Sequence, residues 1–176
     1  MQKLTQLIRR DPVRFNALQC LSQLQLPDSY IGAGFIRNMV WDALHDKSTP
    51  LTDVDVVYFK TGEDPEAEKQ YEARLRALMP ELHWEVRNQA RMHEKHNHKA
   101  YSSTLDAISY WVECETAIAV RLLNSGELDV LAPFGLHSLF AGQLTPNPNR
   151  NEALFRKRLK QKKWLSNWPL LTIIHD

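Results

Sequence analysis

The sequence predicts an α+β domain, α/β-like over its first half, and three observations carry the prediction. Helical and strand-like apolar patterns alternate as α-β-α-β-α-β up to residue 88 before the order becomes mixed. A glycine turn, "YIGAGF", joins a short apolar run to a helical one. A valine- and aromatic-rich run, "DVDVVYF", then opens on two aspartates one residue apart. At 176 residues the chain suits one domain, or one with a small extension, and is long enough to bury a real core.

Each element has its own signal. Asp11-Pro12 reads as an N-cap followed by proline at the first helical position. Leu18, Leu21 and Leu24 then extend a helical stripe over about residues 10–24, with room for a shorter helix before it. "SYIG" is a brief strand, and "FIRNMVWDALHD" a helix with Phe35, Met39 and Leu44 near one face. "KSTPLT" is a loop before the strand "DVDVVYF", and "TGEDP" turns the chain into a charged amphipathic helix over residues 65–79. "LHWEVRN" alternates apolar and polar residues, as a strand does. Residues 105–113 read as helical, and "TAIAVRLLNSGELDVLAP" as a hairpin turning at "NSGE". "GLHSLFAGQ" is a short helix, "TPNPN" a rigid connector, and a basic helix over about 150–166 precedes "WPLLTII".

Composition narrows the function classes. The chain is 43% apolar and 24% charged, ordinary for a soluble protein. Its net charge of +1 supplies no overall field for nucleic acid or membrane, so no DNA readout is expected. No apolar run approaches the roughly 20 residues of a membrane helix. "MQKLTQLIRRD" lacks the apolar core of a signal peptide, so a cytoplasmic protein is expected. Cys20 and Cys114 lie outside any ligand-spaced cluster, which favours buried thiols over zinc or a disulfide framework.

The glycine turn admits more than one ligand. A dinucleotide fingerprint wants a third glycine where Arg37 stands, and an acid after the second strand. Asp53 and Asp55 precede that strand's apolar run, and Glu63 is the acid soon after it. A P-loop is absent, since no G-K-[ST] follows. In a strand, residues i and i+2 share a face, so Asp53 and Asp55 set two carboxylates side by side. Like charges so placed repel unless a cation lies between them, and magnesium often takes one or two carboxylates plus substrate phosphates. A solvated strand start is the alternative for an isolated D-x-D.

A strand, a glycine turn, a helix and a strand opening with D-x-D together resemble the DNA polymerase β nucleotidyltransferase superfamily over about residues 30–90. "GFIRN" is similar to the G-x-V-R-D turn of tRNA CCA-adding enzymes, with Asn38 in place of the aspartate. "WEVRNQARMH", "APFGL" and "KKWLSNWPLL" extend the likeness over most of the chain. Together they look like a bacterial nucleotidyltransferase-like family long catalogued as a domain of unknown function. The resemblance implies a nucleotidyltransferase fold with a mixed central sheet flanked by helices. It implies one such domain over 1–176, with 135–176 as a C-terminal helical extension. It further implies Mg2+-dependent transfer of an NMP from an NTP to a hydroxyl-bearing acceptor, with release of pyrophosphate at a two-metal site. Asp53 and Asp55 would be catalytic metal ligands, and Gly32, Ala33, Gly34, Arg37 and Asn38 would hold the triphosphate. The superfamily's Gly-Ser or Gly-Gly is replaced by Gly32-Ala33-Gly34, so backbone N–H groups must do the work of the missing hydroxyl.

The superfamily also implies a third acid and metal ligand on a neighbouring strand. Glu85, between Trp84 and Val86 and one helical crossover beyond D-x-D, is the first choice, and Asp129 in "ELDVLAP" the second. Arg37 suits phosphate by its fork of donors, with a surface salt bridge as its alternative role. Arg91 is a candidate for phosphate, and with His93 for positioning substrate; an ordinary polar helix start is the alternative. "HEKHNHK" is not HExxH and reads as a solvated loop rather than a zinc site. "FRKRLKQKKW" could touch RNA, although a solvated amphipathic helix accounts for it as well. The acceptor is thus open between a small molecule, RNA and protein. Two other function classes compete with transfer. They are a non-catalytic nucleotide-binding or regulatory module with the same fold, and a dinucleotide-binding protein, which Arg37 disfavours.

Overall fold

The computed structural model describes residues 1–174, and its elements follow the predicted order. Two helices lead, α1 (Gln2–Arg10) and α2 (Pro12–Leu24). Asp11 caps α2 by accepting the Arg14 amide at 3.0 Å, and Pro12 sits where no amide is needed. Strand β1 (Tyr30–Gly32) turns through Ala33 into α3 (Gly34–Leu44). Then come β2 (Asp53–Tyr58), α4 (Ala67–Leu78) and β3 (His83–Asn88). A 3-10 turn over residues 89–91 leads into α5 (Met92–His96), followed by α6 (Thr104–Ile108). The hairpin β4 (Ala119–Leu122) and β5 (Leu128–Leu131) follows, then α7 (His137–Phe140) and β6 (Gln143–Leu144). Helices α8 (Glu152–Gln161) and α9 (Trp164–Asn167) and strand β7 (Thr172–Ile173) complete the described chain.

The main sheet has the order β3-β2-β1-β4-β5. Only the β2–β3 pair, joined by the α4 crossover, is parallel; β1 runs antiparallel to both β2 and β4. The mixed sheet expected from the superfamily resemblance is therefore present. An antiparallel β1–β2 pair also removes the dinucleotide reading, whose βαβ unit needs parallel strands. Glu63, its candidate ribose ligand, is instead enclosed by the hydroxyls of Tyr58 and Tyr71 and by Lys60.

Period-two alternation divides the sheet into two unlike faces. Ile31, Val54, Val56, Trp84, Val86 and Val120 are buried on one face, in the core shared with the helices. The other face holds a second, small apolar cluster of Tyr30, Val57, Ile108 and Ala119. The same face carries the acids Asp53, Asp55 and Glu85, together with Arg87.

Residues beyond the hairpin share the main core. Trp41 of α3 lies 5.8 Å from Trp164 and 5.2 Å from Trp168 between ring centroids, and Trp168 Nε1 donates to Asp42 at 2.8 Å. The basic helix expected over 150–166 is broken: Lys162 is extended (φ −92°, ψ 119°), and the break turns Trp164 inward. The helix expected over 105–113 is shorter, because buried Asn147 holds the next stretch as turns. Its Nδ2 donates to the carbonyls of Ser109 and Trp111, and its amide to Val112 at 3.0 Å. Cys20 and Cys114 are both buried. Among the described residues no helix is long and apolar enough to cross a membrane.

Candidate active site

Three strands bring the glycine turn and two acids into one row. Gly32 of β1 faces Asp55 of β2, and Asp55 faces Glu85 of β3. On the other side Gly32 faces Ala119 of β4. Cross-strand partners stand on one face about 5 Å apart. Across the sheet the row therefore reads acid, acid, glycine, alanine. The space above the glycine is filled by Trp111. A Cβ on Gly32 would lie 3.0 Å from Trp111 Cη2 and 3.0 Å from the Ile118 carbonyl. Gly32 thus has a packing reason to lack a side chain.

Ala33 sits at φ 54° and ψ −123°, a conformation that side chains rarely adopt. Such strain costs on the order of 1–3 kcal/mol and persists where the surroundings over-determine it. Here the Ala33 amide donates to the Ile118 carbonyl at 3.1 Å, and its carbonyl accepts from Ile36 and Arg37. The Ala33 amide, expected to help hold phosphate, is therefore already engaged within the protein. Gly34 and Phe35 open α3, so their amides lack intrahelical acceptors and lie at the positive end of the helix dipole.

Asp55 is half-buried and lines a cleft of about 300 Å3 together with Ala33 and Glu85. Its carboxyl is pushed above the usual carboxylate range, first by burial and then by the charge of Glu85; Arg37 and Lys162 oppose the shift. Asp53 shares the face of Asp55 by the strand period but lies at the strand's entry. Its side chain is 75% exposed, and His83 Nδ1 is 3.4 Å away. Asp53 and Asp55 thus share a face, but only Asp55 lines the cleft. The Glu85 side chain is 47% exposed, with Arg87 Nη2 at 3.7 Å. Among the described residues, no three His, Cys, Asp or Glu side chains are grouped closely enough to form a metal shell by themselves. Asp129 lies on β5, three strands from Asp55, or about 14 Å at the usual strand spacing. Its carboxylate accepts the Tyr30 hydroxyl at 2.9 Å and pairs with Arg121 at 2.8 Å.

The basic residues are redistributed from the expected pattern. Arg37 is only 7% exposed, which corrects the surface salt-bridge alternative. Its Nη1 donates to Thr116 Oγ1 at 2.6 Å and its Nη2 to Asn38 Oδ1 at 3.1 Å. The guanidinium lies 5.0 Å from the Trp41 ring centre and 4.7 Å from that of Trp164. Burial pulls its pKa down to about 10, so it remains a cation at neutral pH. Thr116 lines the cleft, so Arg37 and Asn38 support that wall from behind. Arg91 is drawn to the other side of β3, where it binds Glu68 at 2.6 Å and the Glu63 carbonyl at 3.0 Å. His93 stacks edge-on against Tyr101 at 5.9 Å.

The cations that do line the cleft are Arg87, Arg150 and Arg158. Arg158 clamps the fully buried Glu113 at 2.6 Å. The cleft also has an aromatic lining, with Tyr101, Tyr110 and Trp111. Sequence reasoning missed these residues, because "YSSTLDAISYW" matches no binding motif; its density of aromatic residues was the available signal.

A nucleotidyltransferase family profile matches residues 19–173. A domain solved by NMR and described as a CCA-adding enzyme head domain is 32% identical. It superposes with a TM-score of 0.88 over 100% of this chain and 96% of that one. A CCA-adding enzyme in complex with CTP is 13% identical with a TM-score of 0.62, over 98% of this chain and 43% of its own. The Thermotoga maritima CCA-adding enzyme complexed with tRNA is 14% identical with a TM-score of 0.64, over 98% of this chain and 42% of its own. The last two share the fold, and this chain spans about two-fifths of their length. No curated protein matches the chain. With most of its length matched by the family profile and a near-complete superposition on a relative of 32% identity, the chain belongs to the nucleotidyltransferase family of the DNA polymerase β superfamily.

Proposed function

We propose that this domain transfers an NMP from an NTP to a hydroxyl-bearing acceptor and releases pyrophosphate, with Asp55, Asp53 and Glu85 as its acids. The observation that carries the reading is the shared row of Gly32, Asp55 and Glu85, beside the start of α3. It sets two carboxylates next to a helix terminus suited to phosphate. The donor set fits a divalent cation such as Mg2+. Burial and the Glu85 charge both disfavour ionised Asp55, and a cation between the two would relieve both. Nucleotidyltransferases generally use such metals. When bound, the metal supplies Lewis acidity to the attacking hydroxyl and to the leaving pyrophosphate. Asp55 would hold it from inside the cleft, Asp53 from the solvent side and Glu85 from the neighbouring strand. The opening amides of α3 would orient the triphosphate. Arg87 and Arg158 would balance its charge, and Arg37 would keep Thr116 in place. CCA-adding enzymes have been solved with CTP, with ATP and with tRNA. Here the NTP is the proposed donor, and a small molecule, RNA or protein the acceptor. We place this activity in the cytoplasm and treat residues 135–176 as part of the same domain.

A module that binds nucleotide without transferring it is favoured by one feature: Ala33 presents a methyl group where the superfamily has glycine or serine. Pyrophosphate release across a panel of NTPs and acceptors, with Mg2+, separates the readings. Transfer predicts release that Asp55→Asn abolishes. NTP and Mg2+ together raising thermal stability with no release under any acceptor would favour the binding module. No stabilisation by any NTP would refute both.

A further inference from the structure

We infer that the aromatic wall of the cleft is a nucleobase subsite, with Tyr110 and Trp111 as the stacking surface and Arg150 at the base's edge. The inference rests on the nucleotidyl-transfer reading and names what holds the end of the NTP opposite its phosphates.

The cleft's lining is of two chemical kinds. Asp55, Glu85 and Ala33 supply the acids and the turn; Tyr110, Trp111 and Arg150 supply aromatic faces and a cation. The two groups adjoin, because Trp111 packs directly above Gly32, one residue before the turn into α3. A ligand with phosphates at the helix start would therefore carry its next group toward the indole. The volume, about 300 Å3, lies at the small end of ligand pockets and suits one nucleotide rather than a helical nucleic acid.

The rings are held in place without any ligand. Tyr110 stacks on Tyr101 at 5.3 Å and 30°, and lies tilted against His98 at 4.7 Å and 37°. His98 in turn bonds the Tyr101 hydroxyl at 2.6 Å and Arg150 Nη1 at 2.9 Å. Asn147 ties down the carbonyls on either side of Tyr110, those of Ser109 and Trp111. Rings fixed in advance lose little freedom when a base stacks on them. Tyr101 is buried, but the two apolar clusters do not account for this assembly. Tyr101 and Tyr110 belong to neither apolar cluster, and Trp111 only borders the smaller one. Arg150 spends Nη1 on His98 and keeps other donors for the carbonyl or ring-nitrogen acceptors that every base carries. Stacking on aromatic faces tolerates any base, with the arginine edge adding a preference.

The test is calorimetric binding of each NTP and of inorganic tripolyphosphate, all with Mg2+, to the full chain. Wild type should bind NTP more tightly than tripolyphosphate. Tyr110→Leu should weaken NTP about 5- to 100-fold while changing tripolyphosphate less than about twofold. Tyr110→Phe should retain NTP affinity. Trp111→Leu also removes packing on Gly32, so Tyr110→Leu carries the comparison. Equal losses for both probes, or none for NTP, would overturn the base subsite. If NTP and tripolyphosphate bind wild type equally well, the phosphate site stands and only the subsite falls. If neither binds, the nucleotidyl-transfer reading falls and this inference with it.

Discussion

Gly32→Ala tests the packing at the centre of the site. The added methyl would meet Trp111 Cη2 and the Ile118 carbonyl, each at 3.0 Å. Carbon pairs prefer about 3.5–4.0 Å, and 3.0 Å is also too close for a methyl against a carbonyl oxygen, so both contacts are repulsive. Neither neighbour can easily yield. The Ile118 carbonyl is backbone and accepts the Ala33 amide, and the Trp111 backbone is tied to Asn147. Overpacking of this kind costs about 1–3 kcal/mol. The smaller unfolded-state entropy of alanine offsets about 0.4–1 kcal/mol. The net loss is about 1–2 kcal/mol, or a Tm fall of about 2–8 °C for a chain of this length. Scanning calorimetry of Gly32→Ala, Trp111→Leu and the double variant measures it. Because the indole is one of the two clashes, the double variant should lose less than the sum of the single losses. A neutral or stabilising Gly32→Ala would refute the reasoning. So would losses that add to within about 0.5 kcal/mol, the range expected of independent sites.

Asp55→Asn should abolish Mg2+-dependent NTP binding while leaving the metal-free protein as stable as wild type or more so at neutral pH. Asp55 holds its proton more tightly folded than unfolded, so its contribution is full below the unfolded pKa and is lost as pH rises through the higher folded one. Metal-free wild type should therefore lose stability relative to Asp55→Asn as pH rises from mild acid to neutral, measured as the difference in Tm. Glu85→Gln should lower turnover more than NTP affinity. Asp129→Asn should instead cost about 1 kcal/mol of stability by weakening the bonds from Tyr30 and Arg121, with turnover retained. The reverse pattern of turnover would remove Glu85 from the site. Arg158→Met strands the buried Glu113 carboxylate and should cost about 3 kcal/mol in chemical denaturation. Adding Glu113→Gln should recover most of that loss, and no recovery would show that the ion pair is not its source.

Local signals were legible where one stretch of chain settles its own structure. Asp11-Pro12 marked the start of α2, and the alternation in "LHWEVRN" marked β3 and put Trp84 and Val86 on the buried face. The same alternation put Glu85 on the open face, and the length of α4 permitted the parallel crossover beside β2. Legibility failed where a remote partner decides. "LDAISYWVE" has helical composition, yet Asn147 takes the carbonyls of Ser109 and Trp111 and α6 stops at Ile108. The basic run from 150 to 166 breaks because Trp164 gains more by packing on Trp41 than the helix gains from two further residues. Arg37 and Arg91 both looked free to meet phosphate, and each has a partner more than twenty residues away.

By itself the sequence determined the α+β class, the glycine turn, the D-x-D strand and the likeness to nucleotidyltransferases. Hydrophobic period and turn chemistry act over a few residues and are written in the local order of side chains. The tertiary structure decided which of those groups meet. Gly32, Asp55 and Glu85 are 23 and 30 residues apart and share a row only because β1 pairs antiparallel and β3 parallel with β2, in these registers. A slip of one residue in either pairing would turn an acid to the other face. Strand order likewise sent Asp129 to the far edge of the sheet, and packing against the glycine placed Trp111 over the turn. No local propensity encodes such contacts, because their energy comes from surfaces that meet only when the whole sheet has formed.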